Sequence, residues 1–348
     1  MGKIKKEKTA LLKKNITVPL YMIFIIILIT GTFFFLLMKD SLGGGEKQEE
    51  SGIRDEEYNV RRLGGYKFIK PLLAAKPAEE SDLYADLKND ITELIRNYTY
   101  NGTLSAASVY LRDFEKGDWF SAFGLEKFNS GSILKVPVLI TFLKMEEEKP
   151  GTLNKKITFE RKINSGIKQS IVSKGIELGK TYTVKQLLEY MIVYSDNDAN
   201  LLLNENMDSD TFLRLFSDLN LRQPERNGLV YSITARECSR FLEVLFNATY
   251  LTPENSEYAM ELLTRAVFND GIQKGIPDTN LLIAHKFGES GDNINRQLHE
   301  TAVFYLKNKP YLLTIMTRGG NNVEIEKLSD VLKSVANLVY KKLSGIES

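Results

Sequence analysis

From about Ser81 onward, apolar and polar positions assign elements one after another. Leu83, Leu87, Ile91, Leu94 and Ile95 recur at helical spacing as far as Asn101-Gly102, which predicts an amphipathic helix. Residues 106–114 and 118–123 are strand-like runs joined by the turn Glu115-Lys116-Gly117. The middle of the chain reads as successive helices. Two of them open on capping-box spacings, Thr183 with Gln186 and Thr234 with Glu237. Three more strand-like runs, 280–287, 299–306 and 311–317, precede a last helix with Ile325, Leu328, Leu332, Val335 and Val339 on one face. Two early strands must then pair with three late ones. The expected fold class is α+β: a five-stranded antiparallel sheet flanked by N- and C-terminal helices, with a second, all-helical lobe and a cleft between the two.

A different pattern precedes this. Lys3, Lys5, Lys6, Lys8, Lys13 and Lys14 are followed by an uncharged apolar run over residues 16–38, long enough to cross a bilayer as a helix. The basic flank is expected to stay in the cytoplasm, with the bulk of the chain outside. A cleaved signal peptide would have a shorter apolar core ending in small residues, whereas Met38-Lys39-Asp40 follows here. Gly43-Gly44-Gly45 and the charged residues after it read as a solvated tether. The organisation is therefore a cytoplasmic tail (1–15), a transmembrane anchor (16–38), a flexible linker (39–65) and a folded domain (66–348). Residues 66–73 are apolar enough to dock on that domain. The expected location is the cytoplasmic membrane, single-pass, with the domain on the extracytoplasmic face.

Charge and composition narrow the chemistry. A net charge of +1 gives no case for nucleic acid. Cys238 is the only cysteine, which excludes an intrachain disulfide and a cysteine zinc cluster. With only two histidines, His285 and His299, neither a metal nor another cofactor is expected. No internal repeat is visible, and a monomer is expected.

Three motifs carry the candidate chemistry: Ser132-Ile133-Leu134-Lys135, Ser195-Asp196-Asn197 and Lys286-Phe287-Gly288. On a helix, residues three apart share a face, so the Lys135 amine can reach the Ser132 hydroxyl. A serine at a helix start also gains from the helix dipole. Burial would lower the lysine pKa and make it usable as a base. Pro137, early in this helix, is a possible source of distortion. Taken alone this spacing is weak, since Ser165-Gly166-Ile167-Lys168 repeats it. Ser195-Asp196-Asn197 falls at a helix–helix junction, where each residue type also makes an ordinary cap. Lys286-Phe287-Gly288 ends a strand, and a glycine there lets another backbone approach closely.

The combination is more specific than its parts. In order, element type and spacing, these motifs resemble those of the class A β-lactamase and penicillin-binding-protein superfamily of serine acyl-transferases. The resemblance runs from about Leu83 to the C-terminus, and residues 184–203 are especially similar to the class A middle segment. Residues 66–73 resemble the lead-in of some membrane-anchored relatives. It implies that Ser132 becomes acylated, Lys135 takes its proton, Ser195 shuttles a proton to the leaving nitrogen, and Asn197 contacts substrate and Lys135. Lys286 would orient Ser195 and attract a substrate carboxylate. Backbone N–H groups of Ser132 and Glu289, beside Gly288, would form an oxyanion hole. The implied partner is a β-lactam or a peptidoglycan stem peptide of D-Ala-D-Ala type.

Two departures stand out. The family usually has threonine where this chain has Phe287, so a hydroxyl that binds the substrate carboxylate is missing. Class A enzymes also carry a deacylating glutamate that the pattern would place at Gln223, which cannot act as a base. Glu225, two residues on, is the possible substitute, and Glu205 a weaker one. Without such a base the acyl group can outlive turnover. Three alternatives follow: a penicillin-binding DD-peptidase with slow deacylation, a non-catalytic relative that binds cell-wall peptide, and a Ser-His-Asp hydrolase. The last would need His285 or His299 as base, yet alternation along a strand puts His285 on the face opposite Lys286.

Overall fold

The computed structural model describes residues 60–62, 64–75, 80–162, 171, 174–225, 231–307 and 309–345. The expected tail, membrane span and most of the linker lie outside these residues. Among the described residues no helix is long and apolar enough to cross a membrane.

In chain order the elements are β1 (Val60–Arg62), β2 (Leu72–Ala75), α1 (Ala85–Tyr100), β3 (Leu104–Asp113), β4 (Trp119–Ala122), β5 (Phe128–Asn129) and α2 (Lys135–Glu148). Then follow β6 (Lys156–Thr158), β7 (Thr181–Thr183), α3 (Val184–Val193), α4 (Asn197–Asn204), α5 (Ser209–Asp218), β8 (Ser232–Ile233), α6 (Ala235–Asn247) and α7 (Pro253–Thr264). The chain closes with α8 (Ile272–Gly275), β9 (Ile283–Ser290), β10 (Gln297–Leu306), β11 (Lys309–Gly319) and α9 (Ile325–Ser344).

The main sheet runs β4-β3-β11-β10-β9, antiparallel at every pairing. The early hairpin meets the late strands through β3 and β11, with Leu111 opposite Leu313 and Val109 opposite Ile315. Both faces of the sheet are covered, so its late strands are buried almost throughout instead of alternating with solvent. On one face Leu87, Ile91 and Ile95 of α1 and Leu328, Leu332 and Val335 of α9 pack against Val109, Leu313 and Ile315. On the other face Leu312, Met316 and Val303 belong to the core of the helical lobe, with Leu139 of α2, Leu188 of α3 and Phe241 of α6. Both expected capping boxes are formed. The Gln186 N–H donates to Thr183 Oγ1 at 3.2 Å and the Glu237 N–H to Thr234 Oγ1 at 3.2 Å, each with the reciprocal bond in place.

Cys238 is fully buried on α6, where burial pushes its thiol up to about 12. Pro137 lies in the first turn of α2, where its missing N–H has no intrahelical partner to lose. The distortion expected there is therefore unnecessary.

The folded part begins earlier than the expected linker boundary. Strand β1 pairs with β2, and the Arg62 guanidinium donates to Phe114 O at 3.0 Å, Lys70 O at 2.6 Å and Asn247 Oδ1 at 2.8 Å. It also lies over the rings of Phe114 and Phe246. One charged residue, unremarkable in a polar stretch, thus ties that stretch to the domain. The following segment docks as expected: Ile69 is buried, and the Lys70 N–H donates to Phe246 O.

Candidate active site

Ser132 is half-buried in a 3₁₀ turn, Gly131–Leu134, that leads directly into α2 at Lys135. The motif therefore spans a 3₁₀-to-α transition, not a uniform helix. Two glycines press this turn against the edge strand β9. A Cβ on Gly131 would stand 2.5 Å from Glu289 O, and one on Gly288 would stand 2.6 Å from Ser130 O. Gly131 also has φ of 52°, the left-handed region that glycine enters without strain. His299 braces the segment before it: buried on β10, it shares the Asn129 carbonyl at 2.9 Å with Ser290 Oγ at 3.1 Å. Burial lowers the imidazole pKa to about 4, so the ring stays neutral and donates through Nε2.

Ser195 sits just past the end of α3 with φ of 54°. A left-handed residue after a helix end is usually glycine. A serine there costs about 1 kcal/mol and presents a hydroxyl. Asp196 next to it is the N-cap of α4, accepting the Asp198 N–H at 3.0 Å and the Ile176 N–H at 2.8 Å. The capping reading of Ser195-Asp196-Asn197 thus belongs to Asp196, which leaves the Ser195 and Asn197 side chains for other partners.

These elements bring four side chains together. Lys135 Nζ donates to Ser195 O at 2.6 Å and Asn197 Oδ1 at 2.7 Å, and lies 3.2 Å from Ser195 Oγ. Lys286 Nζ comes up from β9 to Ser195 Oγ at 3.0 Å. One hydroxyl therefore bridges two buried amines. Burial lowers the Lys135 pKa to about 7, against a smaller opposing pull from Asp196. A shift of that size disfavours the charged form by about 5 kcal/mol. Neutral Lys135 would keep two N–H bonds, to Ser195 O and Asn197 Oδ1, and turn its lone pair toward Ser195 Oγ. Lys286 is held well below the ordinary lysine range, first by burial and then by the charge of Lys135.

The remaining site candidates separate. Gly288 and the Glu289 backbone adjoin the Ser132 turn. Glu225 is exposed and, among the described residues, has no hydrogen bond to the lysine cluster. Gln223 is also exposed, its amide donating to Ser217 Oγ at 2.8 Å and Leu213 O at 3.3 Å on α5. Glu205 is exposed and pairs with Arg161. His285 lies on the sheet face away from Lys286, its Nδ1 2.6 Å from Glu300 Oε1. A residue the sequence did not single out is Phe268, in the loop between α7 and α8. Its ring packs against that of Phe287, with centroids 4.5 Å apart and planes tilted by 30°. No local signal marks it, because the contact joins residues brought together only by the fold.

None of the curated proteins matches this sequence. Solved structures do match in fold: PBP-A at TM-score 0.63 and 18% identity, covering 78% of this chain and 99% of that one. A class A beta-lactamase from Mycobacterium abscessus aligns at TM-score 0.62 and 18% identity, over 74% and 99% of the two chains. A beta-lactamase from Chitinophaga pinensis aligns at 0.64 and 14% identity, again over 74% and 99%. The five-stranded sheet and the helices on its two faces agree with that likeness in fold. The family model described as "Beta-lactamase enzyme family" matches residues 86–343, so the chain belongs to the beta-lactamase enzyme family.

Proposed function

We propose that this protein is a membrane-anchored extracytoplasmic serine hydrolase, acylated at Ser132 by a β-lactam or a D-Ala-D-Ala-type amide and slow to release the acyl group. The observation that carries the reading is the Ser195 hydroxyl shared between Lys135 Nζ and Lys286 Nζ. Neutral Lys135 accepts the Ser132 proton as Oγ bonds to the substrate carbonyl carbon. The oxyanion is held by the N–H groups of Ser132 and Glu289, each worth about 3 kcal/mol. Collapse breaks the C–N bond, and the proton passes from Lys135 through Ser195 Oγ to the leaving nitrogen. Water must then cleave the ester. Gln223 and Glu225, both exposed, support the slow branch of that step. A structural neighbour, a PBP-A mutant, is known as an acyl-enzyme complex with penicillin G. The basic tail and the apolar run 16–38 support membrane anchoring.

The test is time-resolved mass spectrometry of the full-length protein in detergent with benzylpenicillin. The expected result is a persistent acyl adduct on Ser132 that Ser132→Ala abolishes. A transient adduct with product release would instead support β-lactamase turnover. No adduct on Ser132 with any acyl donor would leave the binding-only relative standing.

A further inference from the structure

Lys286 is the group that would draw an anionic substrate into this site, yet its amine is closed off. Its side chain is 0% exposed. Its hydrogen bonds go to Ser195 Oγ at 3.0 Å and to Phe287 O at 2.8 Å. The Phe287 ring covers it as well, with the centroid 4.1 Å from Nζ. That ring is itself fixed, packed at a tilt against Phe268 and 4% exposed. β9 is the edge strand, and Gly288, the residue after Phe287, lies against the Ser132 turn, so the ring stands one residue from that contact. Beyond Phe268 lies a pocket of about 200 Å³ whose apolar lining includes Val267, Leu298 and Ile325. The ionisable residues in its lining are Asp270 and Glu326, both acids.

A carboxylate placed here would lose its hydration against two aromatic rings, with the Lys286 amine shielded and, among the described residues of the pocket lining, only the acids Asp270, itself paired with Lys333 at 3.4 Å, and Glu326 as charged groups. Desolvating an unpaired carboxylate costs several kcal/mol. An ester, an amide or a continuing peptide chain loses far less. We propose that the Phe287–Phe268 ring pair makes the site select acyl donors that are uncharged beside the scissile amide, with Lys286 acting only as a positioning residue for Ser195. This rests on the acyl-transfer reading above and narrows its substrate class: donors with a free carboxylate beside the scissile amide, such as benzylpenicillin or a terminal D-Ala-D-Ala, acylate Ser132 slowly, and their uncharged counterparts are preferred.

The experiment compares benzylpenicillin with its methyl ester, each rate of Ser132 acylation in the full-length protein divided by the compound's hydrolysis rate in buffer. The expected result is at least a tenfold preference for the ester. Phe287→Thr should reverse the preference toward the free acid, and Phe287→Leu should retain it. The wild-type ratio decides the matter even if Phe287→Thr fails to fold. Faster labelling by the free acid in the wild type overturns this proposal and leaves the acyl-transfer reading intact. Absence of a Ser132 adduct with either compound overturns both.

Discussion

Lys135 lies where burial competes most directly with charge. With its pKa lowered to about 7, the fraction of neutral amine rises tenfold per pH unit below that value and levels off above it. The acylation rate of Ser132 should follow the same curve, so a flat profile between pH 6 and 8 by stopped-flow or quench-flow labelling would exclude Lys135 as the base. Lys135→Ala should slow acylation by roughly 10²- to 10⁴-fold. Gly288 makes a complementary steric prediction. A methyl group there would stand 2.6 Å from Ser130 O and 2.9 Å from Ile133 Cγ1. Gly288→Ala should push the Ser132 turn off β9, lowering stability by roughly 2 kcal/mol and cutting acylation with it. A variant that keeps both the melting temperature and the rate would contradict this close approach.

At the level of elements, the buried histidine of β10 links stability to pH. His299 titrates at about 4 when folded and at its ordinary 6.5 when unfolded. Between those values the unfolded chain binds the extra proton, so stability falls as pH drops from 6.5 to 4, by about 3 kcal/mol. Denaturant titrations across that range should show the loss, and His299→Gln should flatten it. A slope unchanged by the substitution would place the titrating group elsewhere. The capping boxes give a simpler expectation: Thr234→Ala removes the cap at the start of α6 and should cost about 1 kcal/mol, visible as a lower melting temperature.

These same elements show what pattern can and cannot reveal. The strands of the main sheet, the terminal helices and both caps were legible because each depends on local periodicity or a fixed four-residue spacing, whereas the meeting of β3 with β11 joins distant segments and was not. The lysine cluster was legible because its members fall in three motifs of known order. The β5–β8 pair, Phe128–Asn129 with Ser232–Ile233, was not, because two-residue strands carry no period. Phe268 was not, because its importance arises from a ring 19 positions away and no spacing rule connects a loop to a strand. Arg62 was not, because its partners Phe114 and Asn247 lie far along the chain.

For the molecule as a whole, Arg62 fastens the first strand pair to the rest of the fold. Arg62→Ala in the full chain should lower stability by about 2 kcal/mol, since it removes three hydrogen bonds and two cation–ring contacts. An unchanged denaturation midpoint would show that β1 docks without it. Cys238 bears on the molecule at the same scale. It is the chain's sole thiol, and it is sealed inside α6 with its ionisation suppressed. In the native state it should resist alkylation, oxidation and mixed-disulfide formation. A thiol reagent can reach it only when the helical lobe opens. The rate at which a maleimide labels this one sulfur therefore clocks the breathing of the lobe, with no engineered probe, and an acyl group on Ser132 should slow that clock if it tightens the lobe against the sheet.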